Sequence, residues 1–558
     1  MTAWIDHLII LPIALPLVVG AAMLLIDERH RALKGAIDLA SIAAIGAVSL
    51  ALLRLTDGPA ADGAAAWIGV YRLGDWAAPF GIVLVADRLS ALMLVLTSLL
   101  AFASVLFALA RWHAVGTHFH SLLQFLLMGL NGAFLTGDLF NLFVFFELLL
   151  AASYGLVLHG AGIARVRAGL HYVAVNLAAS LLFLIGVSLI YGVTGTLNMA
   201  DLAVRIPQVA ASDRALLEAG AAVLGVAFLV KAGMWPLGFW LPTTYAAATP
   251  PVAAMFAIMS KVGVYVVLRL SLLLFGEGSG ASAGFGSDWL LAAGVATVAF
   301  GAIGVLASQS MARLAGYAVL VSSGTVVAAV AAGQAAATGS ALFYLVGSTL
   351  AIAAFFLLIE LLERGRALGA DMLAVSREVY GEEEEEEHAA EEAGVAIPAT
   401  MGILGLCFIS CALVLAGLPP LSGFLAKFAI LSALFDPPGS AAGGTVPTAA
   451  WLLLLFLLLS GLATLVAMTR AGIRTLWATD ERDVPRVRVI EIAPVALLLL
   501  GCAALTVEAG PAMGYMRAAA AALHAPAAYV QSVLGPGAGV AATAATAATA
   551  ATADGGTP

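Results

Sequence analysis

Apolar stretches of about 20 residues recur along this chain, each long enough to cross roughly 30 Å of hydrocarbon as a helix. Windowed hydropathy places spans near 8–26, 36–54, 89–110, 118–136, 139–158, 168–191, 214–240, 251–275, 288–308, 313–332, 339–362, 398–436, 450–469 and 489–508, fourteen in all. The twelfth is too long for one crossing unless interrupted, and GLPPLSG at 417–423 supplies an interruption. The seventh contains KAGMWPLGFWLP, residues 231–242, another helix-breaking run. Before the first span stand only Asp6 and His7, with no basic residue and no small-residue cleavage site after it, so it reads as a retained helix. An apolar piece at 512–534 is weakly periodic, and AATAATAATAATA at the C-terminus is low-complexity tail.

Composition agrees with that pattern. The 558 residues are 62% hydrophobic and 11% charged, with mean hydropathy +1.04, against roughly 25% charged in soluble domains. The chain is an integral membrane protein with no polar stretch large enough for a separate soluble domain. Its net charge of −9 is local: GEEEEEEHAAEE at 381–392 holds eight of the 34 acidic residues, leaving 26 against 25 basic. Such a block reads as a solvated loop. Cys407, Cys411 and Cys502 all lie in apolar runs, which argues for packing over a disulfide framework or zinc site.

Cytoplasmic loops retain Lys and Arg. With the N-terminus outside, fifteen loop and span-end basic residues fall inside and seven outside. This puts both termini on the outer side and the glutamate run in the cytoplasm. The three basic residues left over are Lys231, Lys261 and Lys427, three of only four lysines, all within predicted spans. Arginine, used 21 times, stays nearly always at loops and span ends. Arginine remains protonated, whereas a desolvated lysine can release its proton in a usable pH range.

A charged side chain at mid-membrane costs at least about 2.5 to 3.5 kcal/mol and normally marks an ion path. The acidic counterpart of the lysines is Glu147, central in NLFVFFELLLAASYG and preceded on its helix by Asp138 and Asn141. A lysine from a neighbouring span would let both ionise, and such a pair makes a proton gate. Glu360 and Glu363 lie beside Arg364 at a span end and read as interfacial. His159 and His171 flank a short inner loop and could relay protons, or cap helices and meet headgroups. His113, His118 and His120 read as members of another inner loop without metal-ligand spacing. The residues predict no metal or cofactor.

Transporters often place ion sites at helices broken by Gly or Pro in corresponding positions of two repeats. Gly233 and Pro236 in span 7, and Pro419 and Pro420 in LAGLPPLSGFLAKF of span 12, are such breaks. Five spans separate them, so repeats of spans 4–8 and 9–13 would be inverted. The expected organisation is N-terminal helices over 1–111, a first repeat over 112–275, and a second over 288–470 with an acidic cytoplasmic loop at 365–396. A C-terminal helix and tail fill 489–558.

These residues resemble the antiporter-like membrane subunits of complex I and of Mrp/Pha/Mnh multisubunit cation/proton antiporters. The resemblance covers about 80–470 through FGIVLVADRLSALM, the Glu147 span, KAGMWPLGFWLP, TPPVAAMFAIMSKVGVY, RLAGYAVLVSSG and LAGLPPLSGFLAKF. It implies a fold of about 14 transmembrane helices with two inverted five-helix repeats. It further implies a proton path in which Glu147 pairs with Lys231, Lys261 continues between repeats, and Lys427 ends the line. Relatives of the redox type carry histidines at Gly238, Tyr245 and Ser322, and a histidine and a lysine at Ser348 and Ile352. Here Ser322, Ser348, Thr349 and Tyr344 would have to bridge with water. The missing histidines, the chain length and the lysine in SGFLAKF look most like the D-type member of the Mrp/Pha systems. The implied partners are a large A-type subunit, small membrane subunits, protons and Na+ or K+. The implied location is a bacterial inner membrane. A redox-driven proton-pumping subunit and a non-transporting assembly scaffold remain the alternatives.

Overall fold

The computed structural model describes residues 2–58, 67–76, 78–364, 399–435, 446–477 and 487–535. The glutamate run and the alanine/threonine tail lie outside them. Among the described residues twelve helices are long and apolar enough to cross a membrane, and Leu11–Leu25 and Phe119–Leu135 are shorter apolar helices. In chain order, spans 1 to 6 are Leu11–Leu25, Arg31–Asp57, Arg88–Ala110, Phe119–Leu135, Leu139–Val157 and Ile163–Thr194. Span 7 is Ala211–Ala232 followed, after its break, by Leu241–Ala247. Spans 8 to 11 are Pro250–Phe275, Ser287–Ala307, Met311–Ala331 and Ala335–Glu363. Span 12 is split into Ala399–Ala416 and Ser422–Phe435, and spans 13 and 14 are Thr448–Gly472 and Val489–Val507. Helices dominate because hydrocarbon offers backbone groups no partner outside the helix itself.

Spans 8 and 11 form the axis of the bundle: their most apolar windows are wholly covered by other helices. Spans 6, 9 and 13 sit at the periphery and expose large apolar side chains such as Leu181, Ile303 and Leu458. That distribution suits lipid or neighbouring membrane chains, and it means a charge on span 8 is shielded from both.

Two features at one end were not expected. The segment between spans 2 and 3 forms an antiparallel hairpin, β1 (Gly69–Arg72) and β2 (Val83–Ala86), with Gly69 opposite Ala86. The apolar piece at 512–534 is two helices, Ala509–His524 and Ala527–Leu534, and not a further crossing. They close over the same end, where the Tyr515 hydroxyl donates to the Arg88 carbonyl at 2.8 Å and Thr338 meets His524 Nε2 at 3.0 Å. Asp87 joins the cap to the bundle. It caps span 3 through Ser90 and takes both guanidinium nitrogens of Arg269, each at 2.8 Å, from the far end of span 8. Tyr265 and Tyr529 lie against that guanidinium. Arg269 therefore serves as a buried tie, although its place near a span end reads as a loop charge.

The two broken spans are built alike. Each first half ends on a glycine in the left-handed region, Gly233 (φ 75°) and Gly417 (φ 79°), with Pro236 and Pro420 three residues on. Glycine takes this conformation without the Cβ penalty. The freed backbone groups find protein partners. In span 7, Trp240 Nε1 donates to the Val230 carbonyl at 3.3 Å and the Trp235 amide donates to Thr297 Oγ1 at 2.8 Å. In span 12, the Lys427 ammonium turns back onto the Ala416 carbonyl at 2.9 Å. A methyl group at Gly417 would stand 3.0 Å from Lys427 Nζ, so this glycine also makes room for the amine.

Candidate functional site

Glu147 projects from the middle of span 5, and Lys231 from the last turn of the first half of span 7. They do not touch directly. Ser180 of span 6 stands between them, donating to Glu147 Oε1 in a short hydrogen bond and accepting from Lys231 Nζ at 3.4 Å. Lys231 also lies over the Phe146 ring, 4.9 Å from its centroid, an arrangement that favours a cation in a dry site. Close packing keeps it dry: Gly263 of span 8 approaches so near that a Cβ would sit 2.6 Å from the Ala232 amide nitrogen. Ser180 is the residue the sequence does not announce, though Tyr172, Asn176 and Ser180 follow one face of span 6 at four-residue spacing. Hydrogen bonds to charged groups contribute about 1.5–3 kcal/mol. Ser180→Ala is therefore expected to slow ion exchange at least about tenfold while leaving the fold intact, a loss measurable in membrane vesicles.

Lys261 is fully buried on span 8, and its ammonium donates to Ser323 Oγ of span 10 at 2.9 Å. The neighbouring Ser322 points the other way and shares a 2.7 Å hydrogen bond with Ser348 of span 11. Ser322, Tyr344, Ser348 and Ile352 line one small cavity of about 10 Å³ with Gly423 and Thr464 of spans 12 and 13, room for about one water. Three of the positions at which redox relatives carry a histidine or lysine, Ser322, Ser348 and Ile352, thus border one small gap that reaches Gly423 at the span-12 break, beyond which Lys427 is buried. Replacing two mutually bonded hydroxyls by apolar groups is nearly neutral for stability. Ser322→Ala with Ser348→Ala is thus expected to keep the complex's melting temperature while slowing exchange about tenfold, the effect of about 1.4 kcal/mol.

The remaining sequence candidates fall elsewhere. Asp138 accepts from the Phe140 and Asn141 amides at 2.8 and 2.9 Å, the geometry of a helix N-cap, at the opposite end of span 5 from His159. His159 is buried beyond the other end, its Nε2 2.9 Å from the Trp112 carbonyl oxygen. His171 is exposed on span 6. Tyr245 is fully buried beside Phe256. Glu360 pairs with Arg111 and Arg364, and Arg364 also holds Glu491 at 2.5 Å, so this charge group ties spans 3, 11 and 14 together at one end. His120 departs from the sequence reading: it is not in a loop but in the first turn of span 4, against Asp38 of span 2.

A helical bundle with two broken spans and a carboxylate–hydroxyl–amine line within it is the architecture of a class of membrane transport subunits. The family described as "NADH:quinone oxidoreductase/Mrp antiporter, TM" matches residues 136–441, and the chain belongs to it. Among its relatives is a probable K(+)/H(+) antiporter subunit, of the D type, from Rhizobium meliloti, 62% identical over 534 residues, covering 96% of this chain and 98% of that protein. A Na(+)/H(+) antiporter subunit of Alkalihalophilus pseudofirmus, again of the D type, is 32% identical, covering 95% and 99% of the two chains. A chain in the solved Mrp complex from Dietzia sp. DQ12-45-1b superposes with a TM-score of 0.79 at 25% identity, covering 96% of this chain and all of that one. A chain of respiratory complex I from Thermus thermophilus shares the fold, with a TM-score of 0.72 at 22% identity over 95% of this chain. The protein is a multi-pass membrane subunit of the multisubunit cation/proton antiporter type.

Proposed function

We propose that this chain is the D-type subunit of a multisubunit potassium/proton antiporter of a bacterial inner membrane and carries part of its proton path. The observation that supports it most is the Glu147–Ser180–Lys231 line, a carboxylate and an amine joined through a hydroxyl inside three apolar spans. In the proposed cycle, Lys231 gains and loses a proton, and Ser180 transmits the change in its pairing to Glu147. The proton then moves sideways by Lys261 and Ser323, crosses span 11 by Ser322, Ser348 and one water, and leaves near Lys427. Two inverted repeats, spans 4–8 and 9–13, would give each half one broken helix. Partner subunits would bind the cation and cover part of the exposed apolar periphery. The excess of arginine in alternate loops supports termini on the periplasmic side.

Potassium is favoured over sodium because the relative that is 62% identical carries K(+)/H(+) in its name. The test is cation-induced proton movement in everted vesicles containing the whole complex. Exchange with K+ at least about tenfold more effective than with Na+, a preference of about 1.4 kcal/mol, is the expected result. Equal response to both cations would sink the potassium reading, and response to neither would sink the antiport reading.

A further inference from the structure

Outside the proposed path, spans 2 and 4 enclose a further carboxylate, Asp38. Asp38 is fully buried, and both its oxygens are engaged: Gln124 Nε2 donates to Oδ1 at 2.6 Å, and His120 Nδ1 lies 2.6 Å from Oδ2. Ser41 in turn donates to the Gln124 side-chain oxygen at 3.2 Å, so the amide is oriented with its nitrogen toward the carboxylate. The second nitrogen of His120, Nε2, is 3.2 Å from Nδ1 of His113, which is half-buried in the turn Trp112–Ala114. The result is an unbroken line from a carboxylate closed to solvent, through a buried imidazole, to a partly exposed one.

We propose that Asp38, His120 and His113 form a proton-binding site distinct from the Glu147–Lys231 pair, loaded from the end of the bundle where spans 2 and 4 begin. The site stands on this cluster's own geometry and not on the proposed antiport path. In the unloaded state Asp38 is ionised and His120 is neutral, its Nδ1–H directed at Oδ2. His113 then donates its Nδ1–H to His120 Nε2. Loading begins when His113 takes a proton from water at Nε2. Its Nδ1 proton passes to His120 Nε2, leaving His113 neutral in the other tautomer and one positive charge on His120 beside the Asp38 carboxylate. One proton has been gained and no other group has changed.

Burial pushes His113 below the ordinary histidine range, and the positive neighbours His120, Arg31 and His159 add to this. His159 is lowered likewise, by burial first and then by Arg165, His120 and Arg31. The other charges facing the cluster are already committed. Lys34 donates to Glu28 at 2.5 Å, and His118 lies 3.3 Å from the same oxygen. Arg31 donates to the Ala114 carbonyl at 2.7 Å and to that of Glu28 at 3.2 Å. Asp38 is thus a buried carboxylate whose one titratable contact is His120, the other charged groups around the cluster being engaged elsewhere.

Infrared pH-difference spectra of the whole complex in lipid, with ring-labelled histidine, read the site directly. Wild type is expected to show an imidazole protonation band accompanied by a shift of a carboxylate band. Asp38→Asn should remove the carboxylate shift, and His120→Gln should remove both. After a pH jump, His113→Gln should retain both bands while slowing their appearance about 100-fold, the usual contribution of a positioned proton carrier. If the two buried variants fail to assemble, His113→Gln decides alone, because His113 lies on a surface turn. Spectra of assembled Asp38→Asn and His120→Gln identical to wild type, or wild-type loading in His113→Gln, would overturn the proposal. Neither readout requires antiport, so failure here is separable from failure of the proposed function.

Discussion

Lys231→Arg is expected to leave the complex assembled and to reduce cation/proton exchange at least about 100-fold, the equivalent of the 2.5–3.5 kcal/mol charge cost at mid-membrane. The positive charge survives the change, and a guanidinium reaches as far as an ammonium. What is lost is the ability to release the proton, since arginine stays protonated in proteins. The contacts around Lys231 make this a clean test. Its polar partner is Ser180, and the Phe146 ring below it tolerates either cation. A scaffold that needs only charge complementarity with Glu147 would accept arginine. An acid–base relay would not. Assembly is checked on native gels, exchange in vesicles.

Lys261→Met should separate stability from transport even more sharply. Lys261 is wholly buried with a single hydroxyl partner, Ser323, on an axial helix covered on every side. Replacing a buried charge by an apolar side chain of similar volume is often neutral or stabilising, by about 1–4 kcal/mol. Ser323 can then turn its hydroxyl back to its own helix. The variant complex is expected to melt at the same or a higher temperature. Exchange should fall at least about 100-fold, because a proton crossing without the amine meets the mid-membrane charge cost of about 2.5–3.5 kcal/mol. A protein that keeps a destabilising group at its centre keeps it for what the group does.

The sequence displays the expensive residues and conceals the cheap ones. Glu147, Lys231, Lys261 and Lys427 are visible because a charge in an apolar run has few explanations. Ser180, Ser323 and the Ser322–Ser348 pair are not, because a serine in a membrane helix normally bonds to its own backbone and carries no signal of a distant partner. Their roles depend on which helices become neighbours. The same holds for Asp38 and His120, 82 residues apart in sequence. His120 sits where a loop reads as well as a helix start, and only the packing of span 2 on span 4 joins it to Asp38. The span count is legible to the last crossing, since hydropathy and length determine it. The hairpin is not. VLVA at 83–86 is apolar and buried throughout, so no alternation of polar and apolar positions marks it as a strand. The breaks at Gly233 and Pro236 and at Pro419 and Pro420 are read from sequence, and the structure adds Gly417 and shows that each break meets its backbone needs largely with protein groups, above all Trp240 and Lys427. Hydration of the path therefore rests on small gaps such as the one between Ser348 and Thr464.

The central claim is that a proton travels through the buried amines of this chain. It is tested most directly by potassium-induced proton movement in everted vesicles, comparing the wild-type complex with Lys261→Met at matched assembly and melting temperature. The account predicts that exchange is lost in the variant while the complex remains at least as stable. Wild-type exchange from an assembled Lys261→Met complex would contradict it.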